Sequence, residues 1–227
     1  MGGVPRIGTG CGALDELMGG GYPVGHLSLI YGEASSGKTT LALMSSAERA
    51  RQRLKVLYID PDGSFSYERF LRMAGDPGSW EMVFISSPSS FWDQCELILN
   101  LEAFITPGTG LIVVDSITSL YRLAVGAEGE AVALNKGLSK QLAHLKGLSR
   151  RRGLPVLITS QVRWSGGEDV EPVARRILEY WSGAIVSLRR SGGGLREAAV
   201  LKNPGSRGVE RGLFSIEDRG FVGIPRP

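Results

Sequence analysis

The sequence predicts an α/β protein: a mainly parallel twisted sheet with helices on both faces and antiparallel strands at its C-terminal end. Three observations carry this. Apolar runs at 26–31, 55–59, 111–114 and 155–159 alternate with segments of helical period over the first two thirds of the chain. The first run enters a glycine-bearing loop that opens directly into a helix. From residue 184 the period changes to two, with turn residues between apolar stretches.

A chain of 227 residues, 42% hydrophobic, is long enough for one sizeable core and reads as a single domain over 1–227. It has no apolar run of membrane-spanning length and no charged-then-apolar leader, so a cytoplasmic protein without membrane attachment is expected. Cys11 and Cys95 lie far apart in sequence; a disulfide stays open, with buried free thiols the simpler reading. Only His26 and His144 add to them, which makes no metal-ligand cluster, so zinc is not expected. The net charge of +3 is mild for a nucleic-acid binder. Lysines number six of the 26 basic residues, leaving twenty arginines. That excess suits phosphate contacts and is equally what base composition would produce.

Taken in order, 6–31 gives a short amphipathic turn at 14–18, three glycines and the first core strand (HLSLIY). A helix follows from Thr39, with Leu41, Leu43, Met44 and Ala47 on its apolar side and arginines at 49, 51 and 53 suiting the dipole. Strand 55–59 delivers Asp60-Pro61-Asp62; Ser64 then reads as the N-cap of a helix carrying Phe65, Phe70, Leu71 and Met73. Asp76-Pro77-Gly78 closes it as a turn, and 82–85 is the next strand. Ser89 or Ser90 caps a helix with Phe91, Cys95, Ile98 and Leu99; residues 107–110 (PGTG) break the chain again. The run LIVV at 111–114 suits a central parallel strand and ends in Asp115-Ser116. Leucines at 134, 138, 142, 145 and 148 mark a long helix that finishes in three arginines and Gly153. Strand 155–159 ends in Ser160-Gln161, 163–171 reads as a loop, and 177–180 as a short helix. Residues 184–188, 197–201, 213–216 and 220–223 read as antiparallel strands, with Gly192–Gly194 the plainest turn.

The chemistry concentrates at 32–40. Gly32-Glu33-Ala34-Ser35-Ser36-Gly37-Lys38-Thr39 has the form G-x-x-x-x-G-K-T, followed by Thr40, with a strand before and a helix after. Successive backbone N–H groups in such a loop cradle phosphates, and the helix N-terminus adds partial positive charge. Lys38 would reach the β- and γ-phosphates and Thr39 would ligate Mg²⁺. Ligands of open α/β sheets sit beyond the carboxyl ends of the strands, where Asp60/Asp62, Asp115 and Ser160/Gln161 all lie. Asp115, after four apolar residues, is the natural Mg²⁺ carboxylate. Asp62 is a candidate for orienting an attacking water, although Pro-Asp-Gly is also ordinary turn chemistry. Gln161 can bond phosphate oxygen and water through its amide. Arg163 beside Trp164 suits stacking on single-stranded nucleic acid, and Trp164 equally suits covering a sheet edge. The arginine run 150–152 is a nucleic-acid patch or a solvated helix end.

The opening RIGTGCGALDELMGGG, the loop GEASSGKTT, the YID strand end, LIVVDS and ITSQV occur in that order, and LEYWSGAIVSL and FSIEDRGF follow. Together these motifs resemble the RecA/RadA ATPase superfamily, and within it the RadB-like archaeal recombinase paralogues, over 6–224. The resemblance implies a RecA-like core, ATP and Mg²⁺ as ligands, and catalytic roles for Lys38, Asp62, Asp115 and Gln161. It implies DNA-contacting loops at about 121–130 and 163–175, hence contacts from Arg122, Arg163, Trp164 and Arg175. It places Lys202 and Arg207 where relatives touch a neighbouring subunit's nucleotide. Partners implied are DNA, favouring single strands with modest affinity, the main recombinase RadA, and a repair nuclease or resolvase. Relatives usually carry Glu at the place of Asp62 and often Asn at that of Ser160, which implies slow hydrolysis and altered loop coupling. Only five residues precede Arg6, so the N-terminal DNA-binding domain and polymerisation linker of full recombinases are not expected; a homo-oligomer is compatible, a long filament is not. Two other readings fit the same motifs: a non-catalytic adaptor gated by nucleotide, and a KaiC-like signalling ATPase.

Overall fold

Strands covered on both faces need no polar side, and the central strands of this chain have none. The computed structural model describes residues 4–125, 131–164, 170–206 and 208–225, with 163, 164 and 170 described by backbone alone. A small pair, β1 (Arg6–Ile7) and β2 (Tyr22–Pro23), flanks α1 (Gly12–Leu17). The main sheet contains β3 (Leu27–Gly32), β4 (Lys55–Ile59), β5 (Val83–Ser86), β6 (Thr109–Val114), β7 (Val156–Trp164), β8 (Val170–Pro172), β9 (Ala184–Arg190), β10 (Arg196–Lys202), β11 (Glu210–Glu217) and β12 (Gly220–Ile224). Its order is β12-β11-β10-β9-β3-β7-β6-β4-β5, with β8 attached to β7. The helices after α1 are α2 (Lys38–Arg51), α3 (Tyr67–Ala74), α4 (Phe91–Leu99), α5 (Ser119–Ala124), α6 (Ala131–Arg152) and α7 (Arg175–Trp181).

Alternation along each strand assigns its side chains to two cores. Ile30, Val56, Tyr58, Leu111, Val113 and Leu157 point to one, packed against α2 and α3 through Leu41, Leu43, Met44 and Phe70. Leu29, Leu57, Ile59, Ile112, Val114 and Ile158 point to the other, against Phe91 of α4 and Leu138, Leu142 and Leu145 of α6. That division is the physical reason the runs read as uninterruptedly apolar. Gly137 of α6 lets that helix close on α4, since a Cβ there would lie 2.8 Å from the Phe91 ring.

Three details differ from the sequence reading, and one open choice is resolved. The cap of α3 is Ser66, whose hydroxyl accepts from Arg69 N at 3.3 Å; Ser64 instead bonds Asp60. Of the two candidate caps for α4, Ser90 is the one, accepting from Asp93 N. β9 is antiparallel to β10 but parallel to β3, so the sheet changes direction one strand later than the change of period. The stretch read as a loop from 163 is in part a hairpin: β7 continues through Trp164 and pairs antiparallel with β8, Arg163 opposite Glu171. Its polar and glycine-bearing composition hid it, because without apolar alternation a strand pair leaves no period-two signature in sequence.

Candidate nucleotide site

The parallel register sets the site. Gly32 pairs with Gln161, Ile59 with Val114, and Val114 with Ile158, so the residues that follow emerge along one edge of the sheet. At that edge β3 turns into the loop 32–37 and then α2. Gly37 has φ 105, a conformation open to glycine, and a Cβ there would meet the Phe221 ring at 2.5 Å. Lys38 lies across the loop, its Nζ donating to Gly32 O at 3.0 Å and Glu33 O at 2.8 Å. Burial pulls the Lys38 ammonium down from its ordinary range, opposed by the charges of Asp115, Asp62 and Glu33. The charges of these three carboxylates thus all act on one buried cation.

Asp115 is buried and fully held. Tyr58 Oη donates to its Oδ2 at 2.8 Å and Thr159 Oγ1 donates to its Oδ1. Burial drives the Tyr58 phenol well above its usual range, reinforced by Asp115, so Tyr58 stays a neutral donor. Each Asp115 oxygen keeps a second acceptor site for a cation or its water. Asp60 points inward too, but its oxygens accept from Ser64 N and Phe65 N, both at 2.9 Å, and from Ser64 Oγ. Its work is to fold the turn that carries Asp62. Asp62 is exposed on that turn yet close to Lys38, Asp115, Ser119 and Arg122. Partial burial raises its carboxyl, as do Asp115 and Asp60; the Ser119 hydroxyl and Arg122 oppose the rise.

Gln161, half-buried, sits beside Gly32, and its carbonyl accepts from Val173 N at 3.0 Å and from Ser160 Oγ. Ser160 Oγ is also bonded to Thr118 Oγ1 at 2.9 Å, linking this strand end to the segment after Asp115. Ser36 Oγ is buried without a hydrogen-bond partner in the phosphate loop. An orphan hydroxyl beside a lysine, a left-handed glycine and a carboxylate-lined edge fits a triphosphate with a divalent cation. Thr39, half-buried at the first turn of α2, and Asp115 are the oxygen donors suited to that cation.

Three positions missed by sequence reasoning matter here. Tyr58 and Thr159 hold Asp115, and both are legible afterwards as polar residues at the ends of apolar runs. Arg69 donates from Nη2 to Thr40 Oγ1 at 2.6 Å, so α3 leans on α2 just behind the loop; nothing in its spacing signals this.

The remaining expected contacts are scattered. Arg122 is exposed on α5, which means residues 121–124, read as part of a loop, are helical. Residues 126–130 and 165–169 of the expected DNA loops, and Arg207, lie outside the described residues, as do the side chains of Arg163 and Trp164. Arg175 is exposed but bound on both sides, to Glu171 and to Glu179 at 2.8 Å. Lys202 donates to Glu179 O at 3.1 Å and Ser182 O at 2.7 Å, capping α7 of its own chain; a trans contact would require giving up both bonds.

The Rad51 family model matches residues 3–223, nearly the whole of this arrangement. The chain belongs to the Rad51 family. Among curated Rad51-type relatives it is 36% identical over 225 residues to the DNA repair and recombination protein RadB of Methanoculleus marisnigri, covering 95% of this chain and 97% of that one. RadB of Archaeoglobus fulgidus is 34% identical over 217 residues, covering 95% and 97%. RadB of Methanococcoides burtonii is 34% identical over 198 residues, covering 86% and 88%. A crystal structure of the RadB recombinase superposes with a TM-score of 0.83 at 33% identity, covering 97% of this chain and 100% of that one. The Rad51/RecA-like fold, with parallel strands and an antiparallel C-terminal set, is thus shared by chain and relative. Among the described residues, no helix is long and apolar enough to cross a membrane.

Proposed function

We propose that this protein is an ATP-binding, slowly hydrolysing recombination and repair protein that binds DNA and assists or regulates the main recombinase, RadA. The observation that carries the reading is the grouping of Lys38, Asp115 and Asp62 at the mouth of one phosphate loop. The relatives' names point to DNA repair and recombination. Backbone N–H groups of 33–39 and the N-terminus of α2 bind the phosphates, and Lys38 exchanges its carbonyl contacts for the β- and γ-phosphate oxygens. Thr39 and Asp115 hold Mg²⁺, which neutralises charge on the β- and γ-phosphates when bound. Asp62 orients the attacking water and takes its proton, and Gln161 contacts the γ-phosphate from the neighbouring strand. DNA lies along the side bearing Arg122 and the β7–β8 hairpin, where Arg163 and Trp164 supply phosphate and stacking contacts.

The test is phosphate release with and without single-stranded DNA, for wild type and Lys38→Ala. Multiple turnover in the wild type, lost in Lys38→Ala and altered by DNA, is expected. Nucleotide binding without turnover would instead favour an adaptor gated by ATP. Indifference to DNA together with ring-shaped hexamers would favour a KaiC-like signalling ATPase.

A further inference from the structure

Two hydrogen bonds tie the outer rim of the phosphate loop to the hairpin of β9 and β10. Glu33 Oε1 accepts from Arg190 N at 2.9 Å. Arg196, half-buried, donates Nε to Ser35 O at 3.2 Å, while its Nη1 donates to Gly194 O at 2.8 Å and Leu195 O at 2.9 Å. One guanidinium therefore bridges the hairpin tip and the loop. Ser35 needs holding, because it is a non-glycine residue at φ 61, where a side chain is unfavourable unless its surroundings fix it. The far end of the same loop rests on the next strands: a Cβ on Gly37 would meet Phe221 of β12 at 2.5 Å and Ile216 of β11 at 3.0 Å. The C-terminal strands thus approach the loop closely at both of its ends.

We propose that Arg196 is a positioning residue for triphosphate binding, acting through the Ser35 carbonyl to keep the loop in the curvature where its N–H groups converge on one anion. A relaxed Ser35 would rotate the adjoining peptides and turn donors away from the phosphates. Preorganised donors bind more tightly than donors that must first be ordered. This rests on the nucleotide reading above, and the experiment separates the two.

A fluorescent ATP analogue with Mg²⁺ is titrated into wild type, Lys38→Ala, Arg196→Ala, Arg196→Lys and Arg151→Ala, and each ligand-free protein is melted. Arg151 pairs with Glu102 at the other end of the sheet and serves as the surface control. Arg196→Ala is expected to bind about fivefold more weakly, the size of one lost hydrogen bond, with the ligand-free melting temperature unchanged. Arg196→Lys recovers part of the loss, because an ammonium replaces the guanidinium fork by a single point donor. Wild-type affinity in Arg196→Ala, with binding still lost in Lys38→Ala, overturns the role of Arg196 and leaves the nucleotide reading standing. A fall in ligand-free melting temperature that accompanies the affinity loss also overturns it, by marking Arg196 as a general brace of the hairpin. Wild type that takes up no nucleotide overturns both.

Discussion

At Asp62 the proposed reaction turns on the reach of one side chain. Its carboxylate sits on a Pro-Asp-Gly turn that Asp60 folds from below, so the turn reading and the functional reading of this residue are compatible. Lengthening the side chain by one methylene extends the reach of the carboxylate proposed to orient the attacking water. Asp62→Glu is therefore expected to raise steady-state phosphate release, about tenfold for each 1.36 kcal/mol gained in the transition state; unchanged or lower release would remove Asp62 from the water-orienting role. The pH dependence follows from its surroundings. Partial burial and the Asp115 and Asp60 charges raise the Asp62 carboxyl above the ordinary 3.8, and the form proposed to orient water is the ionised one. Turnover should hold at higher pH and fall as pH drops through that raised value, with the acid limb absent from the residual activity of Asp62→Asn. The sign for stability is opposite to that of a salt-bridged aspartate: ionisation of Asp62 costs the folded state, and the cost is relieved as pH falls.

Between elements, buried amides fix the segment that follows Asp115. Gln94 of α4 donates through Nε2 to Ile117 O at 3.2 Å and to Gln141 Oε1 at 2.8 Å, and Gln141 of α6 donates to Cys95 Sγ at 2.8 Å. Both glutamines are fully buried. Gln94→Leu strands two buried acceptors and should cost about 1–3 kcal/mol in urea denaturation. Gln94→Leu combined with Gln141→Leu should cost less than the sum of the single changes, since removing both partners leaves fewer unpaired groups. None of this was visible in sequence, where Gln94 and Gln141 interrupt helical periods without announcing that they meet. The apolar strands were legible because two-sided burial leaves a continuous signature, and the phosphate loop because its fixed positions are dictated by backbone geometry. The extension of β7 and the parallel pairing of β9 were not, since register between strands far apart in sequence is set by packing on the assembled sheet.

For the whole molecule, charge sets the scale of the proposed DNA contact. The net charge is only +3, and several arginines are already paired with carboxylates within the chain. Arg175 is bound by Glu171 and Glu179, while Arg151 and Arg152 share Glu102. Exposed pairs of this kind contribute little to stability, but a paired guanidinium must first be released before it can meet a phosphate. A DNA contact that relied on such paired guanidiniums would gain a smaller electrostatic term, so the affinity expected of the proposed contact is modest. The proposed contact is electrostatic in kind, and each phosphate neutralised on a single strand adds about −0.7 to the slope of log affinity against log salt. Single-stranded DNA binding should therefore weaken steadily from low to physiological salt. Glu171→Gln together with Glu179→Gln, by freeing Arg175, should strengthen binding and steepen that slope by about one such increment. Fluorescence anisotropy across a salt series checks both. A slope near zero in the wild type would reject a phosphate track altogether, and an unchanged slope in the double variant would take Arg175 out of it.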